Sequence, residues 1–107
     1  MPWQQQKEEK YSLYKPVSSS GLEFEKALLN LVGEENKIID CTLLTLTDFT
    51  ISILADVYQQ HLTTNISFVV VISAKEDMDT LEEYFIVVPT ISEAIDYIYM
   101  EELERNI

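Results

Sequence analysis

Two rhythms of apolar spacing alternate along the chain, one with a period near two residues and one near 3.6. Residues 1–10 (MPWQQQKEEK) follow neither rhythm and are polar apart from the first three positions, so they are expected to form a mobile arm. Tyr11, Leu13 and Val17 then alternate with polar residues, which predicts a short strand. Pro16 lacks a ladder donor and assigns that strand to a sheet edge. After a loop at 18–21, Phe24, Ala27, Leu28, Leu31 and Val32 recur at helical spacing. Ser20 and Glu23 form a capping box in front of them, and Gly33 stands where a helix end favours a left-handed residue. The spacing predicts a helix over about 20–32.

The rhythm changes again at residues 37–42 (KIIDCT). Consecutive Ile38 and Ile39 suit a strand covered on both faces. A helix over about 48–62 follows, started by Thr47 or Asp48, with Ile51, Leu54, Ala55, Tyr58 and Leu62 as its expected buried stripe. Residues 63–65 (TTN) end it. Residues 66–73 (ISFVVVIS) hold Val69, Val70, Val71 and Ile72 in succession and predict the central strand. Residues 74–83 predict a short exposed helix, and 84–88 (YFIVV) a fourth strand closed by Pro89. Thr90 and Glu93 make a second capping box, and Ile91, Ala94, Ile95 and Ile98 mark a last helix over 90–104. Strands alternating with helices imply an α/β fold, a four-stranded, mostly parallel sheet with helices packed on it. Residues 11–107 are read as a single domain.

Composition narrows the functions open to such a domain. The net charge is −12, and the half from residue 54 onward carries 11 acids against Lys75 and Arg105. A surface this acidic repels nucleic-acid phosphates and anionic membranes, and it fits plain solubility or a basic protein partner. No apolar run approaches the ~20 residues of a membrane span. The start of the chain has no apolar core of the signal-peptide type. With one cysteine no internal disulfide can form, so a cytoplasmic, reducing setting is expected.

The inventory for catalysis is thin. The single histidine, His61, falls at the end of the second helix, where a ring nitrogen meets backbone carbonyls. Cys41 sits in an apolar strand and reads as packing. Two glycines cannot build a dinucleotide-binding loop or a P-loop. The acids Glu76, Asp77, Asp79, Glu82 and Glu83 lack the spacing and glycine of a calcium loop and read as a solvated face. No metal site, catalytic residue or cofactor is expected. What remains is residues 45–51 (TLTDFTI), at the head of a helix that follows a strand. Free N–H groups there favour a negative group. Thr47, Asp48 and Thr50 also make a sufficient capping cluster without a ligand.

From residue 37 onward the chain resembles STAS domains, the module of sulfate-transporter tails and anti-sigma-factor antagonists. Those show an apolar strand ending in Asp, a second Asp eight residues on in an Asp-Ser-Ser-Gly loop, then a helix and a valine-rich strand. Asp40 and Asp48 have that spacing, and Asp48-Phe49-Thr50-Ile51 falls on the loop. The resemblance implies a regulatory, non-catalytic protein-binding module of bacterial type, with Thr50 as phospho-acceptor candidate and Thr47, Asp48, Phe49 and Thr50 as the binding loop. It also implies a kinase-like or other basic partner. Phe49 and Ile51 replace the small Ser and Gly of the pattern, and the family's N-terminal hairpin is represented by one short strand. The tail of the chain also looks like that of small bacterial STAS-like proteins sometimes labelled ribonuclease Z, an activity that one histidine cannot supply.

Two alternatives stand beside this reading. A receiver-like phospho-acceptor domain would use Asp40 and Lys75, though the paired acids and the full set of five βα units are missing. A small metal-dependent hydrolase would need acids to hold its ion. The N-terminal strand, as an edge near Trp3, offers a route to a weak homodimer, while the charge favours a monomer.

Overall fold

The computed structural model describes residues 3–16, 26–28, 31, 34–42, 47–73 and 75–105. Among the described residues five strands form one sheet in the order β1-β2-β3-β4-β5, with β1 at Trp3–Lys7, β2 at Tyr11–Pro16, β3 at Asn36–Asp40, β4 at Phe68–Val71 and β5 at Ile86–Val88. The first pair is antiparallel and the other three are parallel. Among the described residues the full-length helices are α1 (Asp48–Thr63), α2 (Lys75–Leu81) and α3 (Ile91–Arg105). Residues 26–28 are also helical, inside the span expected for the first helix. The rest of that helix, including the Ser20–Glu23 box and Gly33, lies outside the described residues, apart from Leu31, which is buried but not helical, its N–H donating to the Leu28 carbonyl at 3.0 Å. No helix among the described residues is long and apolar enough to cross a membrane.

The sheet is mostly parallel, as the alternating pattern predicts, but it has five strands rather than four. The additional strand is β1, and it corrects the mobile-arm expectation for residues 3–7. Polarity misled there because β1 is an edge strand whose residues after Trp3 are all exposed. Trp3 itself is buried and meets Tyr14 edge-on, with ring centroids 4.9 Å apart. One aromatic anchor and a ladder to β2 are enough to hold a polar strand. The N-terminal hairpin is therefore complete rather than reduced to one strand.

β2 is in turn flanked on both sides. Its ladder with β3 runs from Tyr11 to Tyr14, so Pro16 at its end removes no donor from that pairing. β4 is interior, between β3 and β5, and β3 occupies the middle of the sheet. Consecutive apolar residues point to opposite faces, and the core divides accordingly. Ile39, Phe68 and Val70 join Leu54 and Val57 of α1, with Trp3, Tyr14 and Leu81. Ile38, Val69 and Val71 join Ala94 and Ile98 of α3 on the other face.

The helix ends follow their sequence signals. Thr47 caps α1, its Oγ1 accepting from the Thr50 N–H at 3.2 Å. Thr90 Oγ1 accepts from the Glu93 N–H at 3.1 Å at the head of α3. Beyond α1, Asn65 takes φ 61°, a left-handed conformation that Asn tolerates better than most residues. The Ile66 N–H then reaches back to the His61 carbonyl at 3.0 Å.

The buried stripe of α1 differs from the expected one. Thr50, Ile53, Leu54, Val57 and His61 face the core, whereas Ile51, Ala55 and Tyr58 are half-buried and Leu62 is exposed. The whole set is displaced by one residue, a rotation of about 100°. Two polar side chains cause it. Thr50 and His61 can face inward because each is hydrogen-bonded at the helix, Thr50 to Thr47 and His61 to the Val57 carbonyl. The apolar residues this displaces line surface grooves instead.

Candidate functional site

The parallel strands β3 and β4 end together, and the chain leaves β3 at Asp40 to enter α1 at Asp48. Asp40 is buried. Its Oδ1 accepts from the Thr42 N–H at 3.1 Å and the Thr42 hydroxyl at 2.7 Å, and Lys15 Nζ stands 4.0 Å from Oδ2. This carboxylate is occupied in holding the strand end and the first turn after it. Cys41, the next residue, is buried, and that burial pushes its thiol up, with the Asp40 charge acting in the same direction. A thiol held protonated is a poor nucleophile, so Cys41 packs, as its sequence context predicts.

At the head of α1 the sequence-predicted loop residues divide. Thr47, Asp48 and Phe49 are exposed, and Asp48 lies in the first turn, where the helix dipole favours a negative charge. Phe49 is 62% exposed. Thr50 is only 3% exposed, and its hydroxyl lies 3.0 Å from the Thr47 hydroxyl. The Thr50 hydroxyl is therefore buried, not open at the surface as a phospho-acceptor would be. A phosphoryl group could reach it only after the head of α1 opened. The rotation of α1 explains this, since position 50 lies on its core stripe.

Beside these residues a groove of about 480 Å³ runs between the first half of α1 and the end of α2. Ile51, Ala55 and Leu81 form its apolar lining, together with the ring of the exposed Tyr84. Asp48 and Asp56 line it with carboxylates. Phe49 lies on the same helix face as Ser52 and Asp56, three and seven residues ahead of them. Sequence reasoning missed the groove residues Ser52, Asp56, Thr80 and Tyr84. The signal available was a set of apolar residues on α1 in excess of what the core stripe needs.

The remaining candidates do not converge on this place. His61 is buried at the far end of α1, its Nδ1 2.7 Å from the Val57 carbonyl and its ring against Phe68. Burial pushes its pKa down, and Lys37 adds to that. The Val57 carbonyl and Glu35 oppose it. Asp79, Glu82 and Glu83 are exposed, and the side chains of Lys75, Glu76 and Asp77 lie outside the described residues. Among the described residues no three His, Cys, Asp or Glu side chains gather as a metal site.

At the opposite end of the sheet a polar cluster closes the strand starts. Asn36 Nδ2 donates to the Lys10 carbonyl at 2.9 Å and to Glu102 Oε1 at 2.7 Å. Its Oδ1 accepts from the Ser67 N–H at 2.9 Å and from Arg105 at 3.3 Å. Lys37, fully buried, donates from Nζ to the Glu35 carbonyl at 2.9 Å, and burial lowers its pKa against the opposing pull of Glu35. The Tyr14 hydroxyl donates to Glu35 Oε1 at 3.2 Å. Each of these groups has an internal partner, so the cluster fastens the β1–β2 turn, β4 and α3 together.

No protein-family model matches the sequence, and no curated protein matches it. Solved structures do match by shape. An anti-sigma factor antagonist from Mycobacterium paratuberculosis superposes with a TM-score of 0.71 at 18% identity, covering 91% of this chain and 92% of that one. A serine-to-glutamate variant of RsbS from Moorella thermoacetica gives 0.69 at 17% identity, covering 98% and 99%. A chain of the stressosome, described as a signal integration and transduction hub, gives 0.60 at 17% identity, covering 90% and 96%.

The fold is STAS-like. The similarity spans nearly the whole chain, the N-terminal hairpin included. In this STAS-like frame the Asp40 and Asp48 spacing places the two acids at the end of one strand and the head of the next helix. Only the second is exposed.

Proposed function

We propose that this chain is a non-catalytic protein-interaction module of regulatory type, and that its partner docks on the head of α1 and the groove beside it. The observation that carries this reading is Phe49, a large apolar side chain left 62% exposed next to a groove with an apolar lining and two carboxylates. An exposed aromatic beside a pocket is the usual form of an interaction anchor. Asp48, Asp56 and the net charge of −12 favour a partner that is basic where it touches, a kinase-like regulator or another. That the shape neighbours include an anti-sigma factor antagonist and a chain of a signalling hub supports a regulatory setting. Thr47, Asp48 and Phe49 then form the contact surface, and Thr50 acts beneath them as a packed cap rather than a phospho-acceptor.

Differential capture from the native host tests the proposal. Wild-type chain, Phe49→Asp and Asp56→Lys serve as baits at equal loading. Both substituted residues are exposed, so both variants keep the fold. The expected result is a protein retained by the wild type and depleted about tenfold or more by each variant. Identical sets of retained proteins on all three baits would overturn the assignment of this surface.

A further inference from the structure

The outer face of α3 leaves large apolar side chains exposed. Ala94 and Ile98 point inward and are fully buried against the sheet. Tyr99, Met100 and Leu103 are 46%, 59% and 69% exposed. Leu103 follows Tyr99 by four residues and Met100 by three, so the three side chains adjoin on one face of the helix. Glu93, Asp96 and Glu104 are exposed around them. Arg105, the basic residue of this helix, is turned to Glu102 and Asn36. The stripe is therefore apolar, fringed by carboxylates, and on the opposite face of the sheet from α1.

We propose that this stripe docks a basic amphipathic helix carried by another protein. A row of three side chains at helical spacing presents a ridge, and a second helix meets a ridge most efficiently with its own apolar row. Lys or Arg flanking that row would face Glu93, Asp96 and Glu104. A second copy of this chain would bring another −12 to the contact and be repelled. An anionic lipid surface would be repelled for the same reason. Tyr99 and Met100 are residue types suited to the work, the one rigid and the other adaptable. The module then offers two separate contact surfaces, one on each face of its sheet, and can bridge two proteins.

A labelled synthetic Leu/Lys amphipathic helix, matched to α3 in length, is the probe, read by fluorescence anisotropy against the full chain. A peptide of the same composition, scrambled to destroy the apolar face, controls for charge alone. The ordered peptide is expected to bind, and binding should weaken about tenfold or more with Leu103→Glu and with Glu93→Lys combined with Asp96→Lys. Phe49→Asp should bind it as the wild type does, which separates this site from the one at α1. Unchanged urea midpoints establish that the variants fold, and Met100→Gln gives the same reading should Leu103→Glu fail to. Equal binding of the scrambled peptide, or no loss with Leu103→Glu, would overturn the proposal. So would sedimentation showing a dimer of the wild type that Leu103→Glu dissociates, since the occupant would then be a second copy.

Discussion

Replacing Asn36 with Ala removes one small side chain and disconnects three parts of the molecule. The Ser67 N–H loses its acceptor at 2.9 Å, and Ser67 is buried where water cannot readily replace it. A buried donor left unpaired costs ~1–3 kcal/mol. The Lys10 carbonyl and Glu102 Oε1 lose donors at 2.9 and 2.7 Å, but Lys10 is exposed and Glu102 half-exposed, so water recovers most of those two bonds. Counting ~0.5 kcal/mol for each gives a total of roughly 2–4 kcal/mol. Against a domain stability of about 5–15 kcal/mol that is a large share. Urea unfolding followed by circular dichroism measures it, with the midpoint falling at unchanged slope. Asn36→Asp keeps the acceptor for Ser67 and Arg105 but sets a carboxylate against Glu102, so at neutral pH it should be destabilised as well. A loss below ~0.5 kcal/mol for Asn36→Ala would refute the reasoning, because the cluster would then be replaceable by water.

Trp3 is the only tryptophan, so its emission reports on β1 directly: the native spectrum should be blue-shifted and protected from acrylamide, and Trp3→Ala should cost about 3 kcal/mol. His61 has its pKa lowered by burial, so the unfolded state takes the proton first; stability should be full above about pH 6.5 and fall as pH drops from there towards the lowered folded value, with His61→Phe removing that part of the slope in urea titrations. Cys41, buried and held as a thiol, should react with a thiol reagent only at the rate of unfolding, and immediate native-state labelling would contradict its placement. Heat denaturation with Mg²⁺, Mn²⁺ or Zn²⁺ should match denaturation without them; a metal bound at 100 times its dissociation constant would add ~2.7 kcal/mol and favour the hydrolase alternative.

Much of the fold is legible in local pattern. The paired apolar residues at Ile38–Ile39 and the run through Val71 declare strands covered on both faces, and the caps at Thr47 and Thr90 form as their spacing indicates. What pattern misses depends on tertiary partners. Gln4, Gln5 and Gln6 read as an arm because an edge strand needs no apolar residues once Trp3 and the ladder to β2 hold it. The burial of Thr50 is not legible locally, because a threonine on a core stripe is recognisable only when its hydroxyl partner, Thr47, is placed beside it. The same one-residue rotation hid the groove: Ile51 and Ala55 look like core until Ile53 and Val57 are seen to fill that role. Asn36 gives no local signal at all, since its partners lie 26 to 69 residues away.

Amide hydrogen exchange of the whole chain, alone and with the protein captured by the wild-type bait, tests the central claim most directly. Added protection is expected to concentrate in residues 47–56 and 80–84, the head of α1 and the two sides of its groove. Protection confined to β1, or absent from α1, would contradict it.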